Sequence, residues 1–106
     1  MERILLTSDS GPESFAAYLE QGGYRAWQRV VREGKPETVL AEVQASGLRG
    51  RGGAAFPVGR KWQFAVETPA ERKYVVANGG EDEPGSHKDR LLMENYPHKV
   101  LEGLML

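Results

Sequence analysis

Apolar side chains recur along most of this chain at helical spacing, and glycine and proline break the runs into short pieces. Gly11-Pro12-Glu13-Ser14 reads as a turn leading into a helix that carries Phe15, Tyr18 and Leu19 on one face, with Gly22-Gly23 ending it. Tyr24 to Arg32 predicts a second helix, with Trp27, Val30 and Val31 at i, i+3, i+4 and basic residues between them, stopped by Gly34. Pro36 suits a first helical position and Glu37 the positive end of a third helix, whose Val39, Leu40 and Val43 face inward. After a glycine-rich stretch, Pro57 allows a helix from about Val58 to Ala65. Lys73-Tyr74-Val75-Val76-Ala77 is the one clear strand, a β-rich run bounded by turn residues. Asn78-Gly79-Gly80 ends it, an acidic loop follows, and helices are predicted from about His87 to Asn95 and from Pro97 onward.

This order suggests an α/β layer holding part of a parallel sheet. One strand cannot make a sheet. The last helix carries an apolar stripe of Val100, Leu101, Leu104, Met105 and Leu106 that stops without a glycine, basic residue or polar tail. Both features lead to the expectation of a chain cut short, with self-association through the exposed stripe.

Composition narrows the classes. The 106 residues are 40% hydrophobic and 27% charged, as in a folded globular chain. A net charge of -1 argues against a nucleic-acid binder, and an RNA-binding Arg-Gly loop is the weakest of the readings because aromatic interleaving is lacking. The chain has no cysteine, so it forms no disulfide, thiolate zinc site or iron–sulfur cluster of its own. No apolar run approaches the roughly 20 residues needed to span a bilayer, and the start is too short in apolar residues for a signal peptide. A cytoplasmic location is the default expectation.

Two loops carry candidate chemistry. Gly47, Gly50, Gly52 and Gly53 crowd a stretch that also holds Arg49, Arg51, Arg60 and Lys61, and no acid lies between Glu42 and Glu67. Small residues let a backbone approach a ligand, and loop amides before a helix N-terminus make an anion site. A phosphate or nucleotide is a natural ligand, although the stretch is neither a P-loop nor a GxGxxG turn. A flexible loop with solvated arginines fits the same composition. In the second loop, Asn78, Glu81, Asp82 and Glu83 follow a strand end, where α/β folds bind ligands. These groups could accept hydrogen bonds from a flavin, a ribose or a nicotinamide amide; an ordinary acidic turn is the simpler reading. His87 and His98 are too few and too separated for a metal site, and no nucleophile arrangement suggests a catalytic residue.

Together the loops resemble a known family. Ser46-Gly47-Leu48-Arg49-Gly50-Arg51-Gly52-Gly53-Ala54-Ala55-Phe56-Pro57-Val58-Gly59-Arg60-Lys61-Trp62 resembles the pattern SGLRGRGGAGFPTGLKW, and Asn78 to Arg90 resembles NADExEPGxxKDR. Pro97-His98 with Glu102-Gly103 resembles the PHxxxEG that follows. These patterns mark the FMN-binding, NADH-oxidising flavoprotein subunit of bacterial complex I and its relatives in NAD-linked hydrogenases and formate dehydrogenases. The resemblance runs from about residue 20 to 106. With the helical segment expected over 1–45, it implies over 46–106 the first part of a Rossmann-like α/β FMN-binding domain, incomplete in this chain. It implies that Gly50, Arg51, Gly52 and Gly53 wrap the FMN phosphate and ribityl chain with Lys61 nearby. Asn78 and Glu81 would contact the flavin, and Glu83 would help place NADH. The implied partners are other subunits or further domains of an electron-transfer complex, at which the chain would sit peripheral to the inner membrane.

The sequence departs from the pattern at informative places. Ala55 replaces a loop glycine, Gly80 replaces an aspartate, Ala77 stands where cysteine is common, and Val58 and Arg60 replace threonine and leucine. The family's GEET segment, ubiquitin-like domain and cysteine-rich domain have no counterpart in this sequence. The alternative reading is therefore a non-catalytic truncated paralogue serving as a binding or assembly module.

Overall fold

A computed structural model describes residues 11–81 and 84–106. Asp82, Glu83 and the first ten residues, on which parts of the sequence reading fall, lie outside the described residues. Among the described residues six helices follow one another: α1 (Phe15–Glu20), α2 (Arg25–Glu33), α3 (Pro36–Ser46), α4 (Val58–Glu67), α5 (Lys88–Asn95) and α6 (Pro97–Met105). The chain divides into two compact units, residues 30–74 and residues 1–29 with 75–106.

In the unit of residues 30–74, α3 packs against α4. Proline at the start of α3 costs nothing, because its missing N–H has no helical partner there. Gly47 closes α3 in the left-handed conformation, φ 69°, with its N–H on Gln44 O. The two helices approach closely at Gly59, where an added Cβ would stand 2.6 Å from Gln44 Cγ and 2.8 Å from Gln44 Cα. Lys73 Nζ donates to Ala65 O at 2.7 Å and Val66 O at 3.0 Å, satisfying carbonyls at the C-terminus of α4.

The other unit is held by polar groups on helix ends. Ser14 caps α1, its hydroxyl accepting from Ala17 N at 3.1 Å. The N-terminus of α2 is capped from α6: Glu102 Oε1 accepts from Tyr24 N at 2.9 Å and Oε2 from Trp27 N at 3.2 Å. The N-terminus of α6 is capped in turn by Glu13, whose Oε1 accepts from Lys99 N at 3.3 Å. Both carboxylates are buried. A carboxylate on orphan helix N–H groups gains from the hydrogen bonds and from the helix dipole together. Around them sit Tyr18, stacked on His98, and Tyr24, edge-on to Tyr18 at 5.0 Å and hydrogen-bonded to His98 Nδ1 at 2.8 Å. Tyr24 has φ 62°, a conformation that costs a bulky residue about 1–2 kcal/mol. The bonds at both of its ends hold it there.

Lys73–Ala77, the expected strand, is unpaired among the described residues. The described residues contain no ladder, and the sole bridge among them joins Arg49 and Pro57. Among the described residues the architecture is thus helical, without the expected sheet. The reason is pairing. Tyr-Val-Val favours extended backbone, but a strand needs a second one about 4.8 Å away to take its N–H and C=O groups, and no described segment pairs with this one. Tyr74, Val75 and Val76 are accordingly 79%, 73% and 79% exposed.

Candidate functional site

The glycine loop lies in the unit of residues 30–74, between α3 and α4. It closes like a small hairpin, with Gly50 N–H on Phe56 O and Val58 N–H on Leu48 O, both at 2.9 Å. Residues 51–55 form an exposed tip. Gly53 takes φ 101°, and a Cβ on Gly52 or Gly53 would touch nothing. Neither glycine is there for packing; both leave the tip's backbone bare to a ligand. Ala55 takes φ 51°, the left-handed region that favours glycine.

Arg49 and Arg51 spend donors on the loop itself. Arg49 Nη1 donates to Ala55 O at 3.0 Å and Arg51 Nη1 to Arg49 O at 3.2 Å. The tip runs into α4, which has no side-chain cap and no acid in its first turn, where Arg60 and exposed Lys61 lie. Bare amides at the tip, a helix N-terminus without a side-chain cap and unopposed cations together favour an anion. A cavity of about 250 Å³ at the loop's base, lined in part by Leu48, Gly59 and Gln63, is smaller than the usual ligand pocket. A cofactor would therefore lie against the tip rather than inside the base.

The second loop lies in the other unit, at the N-terminus of α5. Asn78 Oδ1 accepts from Gly80 N at 3.0 Å, closing a local turn. Glu81 Oε1 accepts from Asp89 N at 2.7 Å and so caps α5. Gly79 lies over α5, where a Cβ would meet Met93 Cε at 2.7 Å. Two residues that sequence reasoning aimed at a cofactor thus each commit an oxygen to local structure. A carboxylate keeps several acceptor sites beyond one such bond, and Asn78 keeps its amide donors. Arg90 pairs with Glu94 at 3.0 Å on the exposed face of α5, an i,i+4 pair worth little.

Gly50, Arg51, Gly52, Gly53 and Lys61 therefore share one loop–helix junction, and Asn78 and Glu81 share another. Sequence reasoning missed Arg49 as the loop's internal clamp and missed the Glu102 cluster entirely. Burial pushes the Glu102 carboxyl up, but hydrogen bonds from Tyr18 and from the Tyr24, Trp27 and Ala26 backbone outweigh it, so its pKa lies below the ordinary 4.5. Burial, with the bond to Glu102, raises the Tyr18 hydroxyl above its ordinary 10.0. The available signal was a lone acid, Glu102, in the apolar stretch of the last helix. Among the described residues no group of His, Cys, Asp and Glu could hold a metal ion, and no helix is long and apolar enough to cross a membrane.

The sequence profile of the family described as the Nuo51 FMN-binding domain matches residues 43–106. The chain is 42% identical over 105 residues to an NADH-quinone oxidoreductase subunit of Rhizobium meliloti, covering 97% of this chain and 25% of that protein. It is 45% identical over 93 residues to the corresponding NADH-quinone oxidoreductase subunit of Aquifex aeolicus, covering 88% of this chain and 21% of that one. It is 43% identical over 90 residues to mitochondrial NADH dehydrogenase (ubiquinone) flavoprotein 1 of Dictyostelium discoideum, covering 83% and 19%. The chain spans about a quarter or less of each of these relatives. The match includes the loop–helix junctions on both sides of residue 70, and the chain belongs to the Nuo51 FMN-binding domain family.

Proposed function

We propose that this chain is the N-terminal portion of an NADH dehydrogenase flavoprotein subunit and binds FMN and NADH within a larger electron-transfer complex. The observation that carries this reading is the bare tip at Gly52 and Gly53 leading to α4, which has no side-chain cap and no acid in its first turn. That arrangement fits the phosphate end of FMN. Gly50, Arg51, Gly52 and Gly53 would hold the phosphate and ribityl chain, and Lys61 would add charge. Asn78 and Glu81, fixed by their bonds to Gly80 and Asp89, would orient the flavin edge. Glu83 would lie on the nicotinamide side. When bound, FMN supplies the ring that takes hydride from NADH; the protein supplies position and electrostatics.

The division into a helical segment, 1–45, and an FMN-binding part, 46–106, is supported by the family match beginning at residue 43. In the same reading Lys73–Ala77 is a strand of a Rossmann-like sheet that pairs outside the described residues. The partners are other subunits of such a complex, with cytoplasmic placement peripheral to the inner membrane. Self-association through exposed apolar residues is the further expectation.

Titration with FMN to saturating concentration, followed by flavin fluorescence, tests the reading. Weak, saturable quenching is expected, and its absence at saturation would sink the reading for this chain. The second reading, a non-catalytic binding or assembly module, is favoured by strained Ala55 and by Gly80, which lacks the pattern's carboxylate. NADH-driven loss of the bound flavin's visible absorbance argues for the first reading; FMN binding without it argues for the second.

A further inference from the structure

We infer that Arg49 is the positioning residue of the glycine loop: it shapes the anion-binding tip from within rather than touching the ligand. Its guanidinium donates to Ala55 O at 3.0 Å, across the hairpin closed by Gly50 N–H on Phe56 O. Two consequences follow from that bond.

The first is conformational. Ala55 sits at φ 51°, where a methyl-bearing residue is disfavoured and glycine is not. A β-region backbone is open to Ala55 at lower local cost, so something must hold it left-handed. The Arg49 bond to its carbonyl does so, and a charged donor makes that bond stronger than a neutral one.

The second is electrostatic. Carbonyl oxygens on a loop repel an anion as effectively as N–H groups attract it. Arg49 covers the Ala55 carbonyl, and Arg51 Nη1 covers the Arg49 carbonyl at 3.2 Å. In a trans peptide the N–H points opposite to its carbonyl, so fixing Ala55 O toward Arg49 turns the Phe56 N–H to the other side. The two arginines thus mask acceptors of the loop while keeping their positive charge beside it. Loss of Arg49 exposes an acceptor and frees the strained residue at once.

The ligand half of this inference rests on the FMN reading; the loop half does not. The test is a double-substitution cycle on the full chain with Arg49→Met, Ala55→Gly and both together. Arg49 is exposed, so the single variants are expected to keep the native far-ultraviolet dichroism. FMN affinity is expected to fall about tenfold in Arg49→Met, the scale of one charge-assisted hydrogen bond. In the Ala55→Gly background the same change is expected to cost less, about threefold, because glycine reaches the positive φ without strain and only the uncovered carbonyl of residue 55 remains as a penalty. An equal loss in both backgrounds would overturn the proposal, since a direct Arg49–phosphate contact behaves that way. The ligand-free arm follows the amide resonances of residues 51–55. They are expected to collapse toward random-coil positions in Arg49→Met and to return in the double variant; unchanged resonances in Arg49→Met also overturn the proposal. If the native chain binds no FMN, the functional reading fails while the amide arm still decides the role of Arg49.

Discussion

A methyl group at Gly59 would stand 2.8 Å from Gln44 Cα and 3.0 Å from Gln44 N, atoms that no rotamer change can move. Gly59→Ala is therefore expected to force α3 and α4 apart and to cost about 1–3 kcal/mol, read by urea unfolding through Trp62 on α4. Gly52 has open space where its Cβ would be, so Gly52→Ala leaves that transition in place. The sequence shows these two glycines as members of one glycine-rich stretch, and its resemblance assigns Gly52 to the cofactor. It could not assign Gly59 to a helix contact, because a missing side chain leaves no pattern to read. Ala55 is the reverse case. Its departure from the family pattern was legible, and φ 51° supplies the reason that the pattern holds glycine there.

Among elements, all six helices were legible, since i, i+3, i+4 spacing and the placing of glycine and proline are local signals. Their caps were not. Ser14 caps α1 from the adjoining position, but Glu13 and Glu102 cap helices far from themselves in sequence, with 78 positions separating Glu102 from Tyr24. The expected strand is unpaired among the described residues for the same reason: propensity is local and pairing is not. The Glu102 bonds also give a pH dependence. A carboxyl whose pKa is lowered on folding contributes stability that is present above its ordinary 4.5 and lost as pH falls through the folded value. The raised Tyr18 hydroxyl works in the other direction, contributing below 10.0 and losing that contribution as pH rises beyond it. Thermal unfolding followed by circular dichroism is expected to show a plateau between these limits. Glu102→Gln is expected to lower stability at neutral pH by about 1–3 kcal/mol, because one amide donor then faces another. The acid limb is expected to flatten in the same variant; an unchanged limb would assign the pH dependence elsewhere.

At the scale of the whole molecule, the chain leaves one compact unit and enters the other between Tyr74 and Val75, within an exposed stretch. Brief chymotrypsin treatment is expected to cut first after Tyr74, giving two fragments identifiable by mass. Leu101, Met105 and Leu106 are exposed as well, so the elution volume in size-exclusion chromatography is expected to decrease as concentration rises. The glycine-rich and acidic loops were legible at this scale as motifs in order along the chain, while the meeting of α3 with α4 was not, since it depends on packing between helices. The carboxylate fastening α2 has one more consequence, and it concerns time. A ribosome adding about 5–20 residues per second needs about 4–16 s to travel from Tyr24 to Glu102. Throughout that interval the nascent α2 lacks the group that satisfies its first turn. The aromatic cluster beneath it can form only as the last helix is made, so the first helices of this chain are born early and finished late.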